Sequence, residues 1–139
     1  MKLFVDTSAL LCLLNATDVN YSPAKAIWEG LIGADTELVT HNYVLVETSA
    51  LVLRRLGLEA LRVFESDVVP ILEVVWVTPD VHEAAVGAHM LAGRRSLSLV
   101  DCVSFEVMRR AGLRAAFAFD AHFGEFGYEL VPDHPEPGR

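Results

Sequence analysis

Several familiar scaffolds are excluded by what this chain has little of. Only two of its 139 residues are cysteines, Cys12 and Cys102. Both lie in apolar contexts without metal-ligand spacing, so free thiols in a reducing, cytoplasmic compartment are expected rather than a disulfide framework. Lys2 and Lys25 are the only lysines. A phosphoacceptor receiver domain, which also groups acids at strand ends, would need a lysine near its later strands. No GxGxxG or P-loop run occurs, which removes the main support for a nucleotide-cofactor enzyme. Charges or prolines interrupt every apolar run well short of the ~18 residues a membrane span requires, so no membrane association is expected. Positive charge is also scarce, with 11 Lys+Arg against 19 Asp+Glu and a net charge of −8. That balance excludes a general nucleic-acid coat protein, whose affinity would come from neutralising phosphates. It does not exclude a nuclease whose acids hold a divalent cation.

Apolar residues are abundant instead: they make up 53% of the chain, and the mean hydropathy is +0.36. At this length the chain reads as one domain with a core that needs neither disulfide nor structural metal. The opening MKLFVDTSALLCLL has the outline of a secretory signal, a lysine before an apolar stretch. Asp6 argues against that reading, because an ionised group in an inserting apolar segment costs about 3 kcal/mol. These residues are therefore kept in the fold.

Lys2 to Val5 reads as a short buried strand, and Thr7 or Ser8 can cap a helix through Ala9 to Leu14. Ser22 before Pro23 has the form of an N-cap opening a helix through AKAIWEGLIG. Glu37 to Thr40 is a strand, and Tyr43 to Leu56 a helix closed by Gly57. Leu58 to Val69 continues helically up to Pro70, and Glu73 to Val77 is a valine-rich strand. Asp80 to Ala92 and SLSLVDCVSFEVMRRAG are helices ended by Gly93 and Gly112. Ala115 to Phe119 is a strand stopping at Asp120, and Glu129 to Val131 is a last short one. The tail PDHPEPGR, residues 132–139, is expected to be disordered. Strands alternating with helices, without an internal repeat or a second-domain linker, indicate α/β architecture with a mainly parallel sheet.

Four acids stand out. Asp6 and Asp120 each follow an apolar strand, FVD and FAFD, and in a parallel sheet both fall on the edge where open α/β sheets bind ligands. Either alone could be a helix cap. Glu47 shares a helix stripe with Tyr43, Ala50 and Leu51. A carboxylate on an apolar face needs a partner, from a salt bridge elsewhere in the fold or from a metal. Asp101 fits a capping box begun by Ser98, and a capping carboxylate can also face a pocket. Brought together, such acids repel one another or take up protons unless a cation joins them, and hard oxygen ligands suit Mg²⁺ or Mn²⁺. The paired arginines 54/55, 94/95 and 109/110 fit solvated helix ends. The five histidines show no pairing by spacing that would support metal-free acid–base catalysis, although His122 is near enough to Asp120 to touch a substrate.

In their order and spacing, FVDTSAL, YVLVET, LSLVDCVSFEVMRRAG and FAFDAHF resemble the PIN domains, most closely the VapC-type toxin ribonucleases of toxin–antitoxin pairs. The likeness runs to about Val131, which gives a PIN-like nuclease domain over residues 1–131. It implies a three-layer sandwich with helices on both sides of the sheet. It also implies an acidic quartet at Asp6, Glu47, Asp101 and Asp120, with Asp6 and Asp101 as the first metal ligands and Thr7, Ser8 and Ser98 as supporting hydroxyls. The implied activity is a Mg²⁺- or Mn²⁺-dependent endoribonuclease that hydrolyses phosphodiesters with metal-activated water. RNA rather than DNA comes from the likeness alone, since in-line attack by water needs no 2′-hydroxyl. Ala118 and Ala121 depart from the pattern, where many relatives carry a hydroxyl and a basic residue, and this leaves Asp120 the least supported member. Implied partners are a cognate antitoxin inserting a basic side chain among the carboxylates, an RNA substrate and a second copy of the chain in a homodimer. The helices from Tyr21 to Leu31 and Tyr43 to Leu61 are the expected antitoxin-facing groove. The alternatives are a PIN-like RNA- or protein-binding module that does not cut, and a housekeeping RNA-processing nuclease.

Overall fold

Leu3, Phe4 and Val5 are all fully buried. Successive strand residues point to opposite faces, so their sheet is covered on both sides, as parallel sheets require. In the computed structural model, which describes residues 1–133, these residues form β1 (Lys2–Val5), the middle strand of five. The others are β2 (Glu37–His41), β3 (Glu73–Val75), β4 (Ala115–Phe117) and β5 (Glu129–Val131). Their spatial order is β3-β2-β1-β4-β5, and every pairing is parallel. The sheet is thus wholly parallel rather than mainly so. Seven α-helices connect the strands: α1 (Thr7–Leu14), α2 (Tyr21–Gly33), α3 (Asn42–Leu56), α4 (Leu58–Val63), α5 (Pro79–Ala92), α6 (Leu99–Ala111) and α7 (His122–Glu125). The chain builds outward from β1 to β2 and β3, then crosses back to β4 on the other side. Between β1 and β4 the winding reverses, and such reversals open a crevice at the carboxyl ends of the strands.

The expected elements recur with instructive shifts. The cap of α1 is Asp6 itself, whose carboxylate accepts from the Ser8 amide, rather than Thr7 or Ser8. Helix α2 starts before Ser22, with Asn20 as its N-cap. Pro23 then falls in the first turn, where a missing N–H costs nothing. After α4 the helical path widens over Phe64–Val68 and tightens over Val69–Ile71, carrying it through Pro70. The buried side chains there are Phe64 and Val68. Strands β3 and β4 are shorter than their valine- and alanine-rich sequences suggest. Gly57, at φ 96°, makes the corner between α3 and α4 in a region that side-chain-bearing residues avoid. The expected disorder of the tail falls, beyond Asp133, outside the described residues. Among those described, no helix is long and apolar enough to cross a membrane.

The main core joins the sheet to α1, α2 and the α4 region through Phe4, Leu10, Trp28, Phe64, Phe117 and Phe123. A second cluster, including Val81, Ala85, Val103 and Val107, packs α5 against α6. A buried polar chain ties the two regions. His41 Nδ1 accepts from the Val44 amide at 3.3 Å and so caps α3. The ring hydrogen therefore sits on Nε2 and reaches Ser104 Oγ at 2.8 Å, and Ser104 donates onward to the Val100 carbonyl at 3.0 Å. Burial pushes the His41 imidazole down from 6.5 to about 3. The unfolded chain consequently binds a proton that the fold refuses, and the contribution of His41 is lost as pH falls through 6.5 toward 3. We expect His41→Gln to lower stability at pH 7.5 by about 1–3 kcal/mol. Urea titration should find that the gap to wild type narrows by pH 5; a gap of constant size would contradict a neutral, buried imidazole.

Candidate active site

Three of the four singled-out acids stand at or next to the crevice for reasons of local structure. Asp6 is the first residue after β1, its amide donating to the Phe117 carbonyl of β4 at 3.1 Å. Its carboxylate folds back to cap α1, accepting from the Ser8 amide at 3.1 Å and the Ser8 hydroxyl at 2.6 Å. Ser8 Oγ in turn accepts from the Phe119 amide at 2.9 Å, stitching the two strand exits together. Asp101 sits in the first turn of α6, where Ser98 and Asp101 cap each other at 3.0 Å in both directions. Asp120 lies three residues beyond β4, and its Oδ1 accepts from the His122 amide at 2.9 Å.

Glu47 comes from the middle of α3, and its setting differs from the expected apolar stripe. The fully buried face of α3 is Val44, Thr48 and Val52, with Glu47 half-buried at its margin and Ala50 exposed. Its neighbour is no cation. The Thr7 hydroxyl, which accepts from Thr48 at 3.3 Å, favours the ionised form of Glu47. Thr7 and Thr48 thus link α1 to α3 beneath the carboxylate.

The acids feel one another. Burial pushes the Asp6 carboxyl from 3.8 up to about 7, with the charges of Asp101 and Asp120 adding to the rise and the two Ser8 hydrogen bonds opposing it. Burial likewise raises Glu47, helped by Asp101 and Asp120. It raises Asp101 too, against the stabilising amide of Ser98. Among the described residues none of the four pairs with a lysine or arginine. The basic side chain beside them is the imidazole of His122. Its Nδ1 lies 2.8 Å from Asp120 Oδ1 and 3.7 Å from Asp101 Oδ2, yet it is aligned for a hydrogen bond with neither and is buried without a partner. Distance alone would suggest an ion pair; the alignment indicates a free nitrogen lone pair or N–H facing the acids.

Asp101, Asp120 and His122 each present a ligand atom within 4.8 Å of the others. The trio shares Asp101 with the expected Asp6–Asp101 pair, and Asp6 stands beside it with its Oδ2 accepting from Ser8. The donor set fits a divalent cation: oxygens dominate, one buried nitrogen lacks a partner, and no fixed positive charge competes. His122 is the member that spacing alone underrated, and its signal was the short step from Asp120 in FDAHF.

The comparisons follow the same outline. Residues 3–127 match the family model for the PIN domain. A 23S rRNA-specific endonuclease, VapC20 of Mycobacterium tuberculosis, is 35% identical over 133 residues, covering 94% of this chain and 99% of its own. The crystal structure of Mycobacterium tuberculosis VapC20, described as a sarcin-ricin loop cleaving toxin, superposes with a TM-score of 0.80 at 36% identity, over 91% of this chain and 95% of that one. With a doubly covered parallel sheet, carboxylates at its winding reversal and a match across nearly the whole length, the chain belongs to the PIN domain family.

Proposed function

We propose that this chain is a metal-dependent endoribonuclease, the toxin of a VapBC-type pair, acting in the cytoplasm on ribosomal RNA. The observation that carries the reading is the meeting of Asp6, Glu47, Asp101 and Asp120 in one partly desolvated crevice without a lysine or arginine to pair them. The substrate class follows from the relatives named as 23S rRNA-specific endonucleases.

In this reading Asp6 and Asp101 would be the first to hold Mg²⁺ or Mn²⁺, with Asp120 and His122, which lie close to Asp101, completing the set; the imidazole nitrogen tilts the choice toward Mn²⁺. A divalent cation there supplies an acidified water and offsets negative charge gathering on the phosphoryl oxygens. Three of the acids are held by nearby hydroxyl-bearing residues: the Ser8 hydroxyl and amide donate to Asp6, the Ser98 amide donates to the Asp101 carboxylate, and the Thr7 hydroxyl steadies Glu47; Asp120 accepts from the His122 amide. Glu47, half-buried with a raised pKa, is placed to orient the nucleophile or accept its proton. Ala118 is fully buried and Ala121 exposed on the cleft wall, so neither position adds a polar contact to Asp120. A cognate antitoxin would cover this site with a basic side chain, docking on the helices from Tyr21 to Leu31 and from Tyr43 to Leu61, where Val46, Leu53 and Leu58 are exposed. The exposed apolar residues also suit a homodimer.

Asp6→Asn should abolish cleavage of ribosomal RNA with either metal, as should chelation; cutting that survives both would sink the mechanism. At subsaturating metal, activity should rise with pH toward about 7, because the cation must compete with the proton that the metal-free Asp6 carboxyl holds. Because the folded-state pKa of Asp6 is raised, its contribution to the stability of the metal-free protein should fall as pH climbs from 3.8 to about 7, opposite in sign to that of His41, and Mg²⁺ should restore it. Scanning calorimetry of wild type against Asp6→Asn isolates that contribution: a stability difference that stays constant across that window would contradict the buried-carboxylate account. Ser8→Ala should cut the rate about 10–100-fold, the usual effect of removing a group that orients a metal ligand. Single-turnover assays at saturating metal would test this, with an unchanged rate as the adverse result.

A further inference from the structure

Beside the acids, between α1, the start of α2 and the segment after β4, lies a cleft of about 640 Å³, within the size range of small-ligand sites. Asp120 and His122 line it, and Leu11, Cys12 and Phe119 give it an apolar wall. Asn20 lines it too and is only 2% exposed. The backbone of Asn20 is fully engaged: its amide donates to Asp18 Oδ1 at 2.7 Å, and its carbonyl accepts from Ala24 at 2.9 Å as α2 begins. The side chain does not cap that helix. Its Nδ2 is buried and has no hydrogen-bond partner. A buried amide donor left unmatched destabilises the fold. Asn20 lines a cleft beside the acids, so a small turn of its side chain would bring the unmatched donor to an acceptor supplied from outside. Arg55, at the exposed end of α3, also lines the cleft and has no ion pair among the described residues.

Resting on the ribonuclease reading, we propose that this cleft is a nucleobase pocket for the nucleotide next to the scissile phosphate. Asn20 Nδ2 donates to a base keto oxygen, and Arg55 meets a neighbouring phosphate at the mouth. A phosphate deep in the cleft would face the carboxylates of Asp18 and Asp120 with Arg55 as its one unpaired cation, since Glu125 is already taken by Arg94 at 3.1 Å. A neutral base avoids that repulsion and can lay its flat face on the apolar wall. The unmatched atom of Asn20 is a donor, which the keto oxygen of guanine or uracil satisfies. Adenine and cytosine carry an amino donor in place of that oxygen and would set donor against donor there. Cys12 is a passive part of the wall, because burial and the Asp18 carboxylate push its thiol up to about 12.

The test uses the full chain carrying Asp6→Asn, so that binding is read without cutting, with fluorescence anisotropy of short oligouridylate and oligoadenylate. Oligouridylate should bind more tightly, and adding Asn20→Ala should weaken it about tenfold and erase the difference. Arg55→Ala should weaken both alike. Thermal stability of Asn20→Ala should be unchanged or higher, because the substitution removes an unmatched donor. The pocket is overturned if neither oligonucleotide binds or if Asn20→Ala leaves the preference intact. It is equally overturned if Asn20→Ala weakens both equally, which would indicate phosphate, or if it lowers stability without touching binding, which would indicate an internal role. A uridylate preference that depends on Asn20, in a protein whose unsubstituted form cuts no RNA, would support the pocket and remove the nuclease reading.

Discussion

Negative charge held in a place water only partly reaches is the constraint on which this molecule is organised. Desolvating a carboxylate costs several kcal/mol unless something compensates, and here the compensation is deliberately incomplete. Ser8 and Ser98 lower the cost for Asp6 and Asp101 with hydrogen bonds, and Thr7 does so for Glu47, yet all three acids remain raised above their ordinary values. The fold therefore stores an unmet demand for a cation at the carboxyl edge of its sheet. A parallel sheet covered on both faces suits this, because its rigid central strands fix where β1 and β4 end to within a hydrogen bond.

The two buried titrating centres are pushed in opposite directions by one cause. His41 is kept neutral because burial penalises imidazolium, and its ring is satisfied at both nitrogens. Asp6 is kept near neutrality because burial penalises carboxylate, and its neighbours are like-charged. The difference lies in what surrounds them. His41 belongs to a closed chain of hydrogen bonds that serves the architecture, whereas Asp6 faces a crevice with spare acceptors and an unpartnered imidazole nitrogen nearby. Satisfied polar groups hold α3 and α6 in place; unsatisfied ones, His122 Nδ1 and Asn20 Nδ2, cluster around the crevice and its cleft. That segregation of matched from unmatched groups is what binding sites require, at some expense in stability.

Much of this was already present in the chain as text. The valine- and phenylalanine-rich runs placed the strands, Ser98 and Asp101 declared their capping box, and Gly57, Gly93 and Gly112 ended helices where expected, since caps, periodicity and positive φ depend on residues only a few positions apart. The same short-range logic put Asp6 and Asp120 at strand exits. Errors came where a local rule had two solutions: Asp6 outcompeted Thr7 and Ser8 as a cap, and packing of Phe64 and Val68 carried the helical path past the stop that Pro70 suggested.

Sequence by itself determined the kinds of element, their order and the acids available for chemistry. Only the tertiary structure decided which of those groups meet. Strand order β3-β2-β1-β4-β5 is a matter of pairing between segments over a hundred residues apart, and no local preference encodes it. That order sets Asp6 beside the exit of β4, brings His122 against Asp101, moves Glu47 to the edge of a buried face and closes a cleft over Asn20. Hydrogen-bond satisfaction is likewise a property of the finished fold, because whether a side chain is matched depends on everything packed around it.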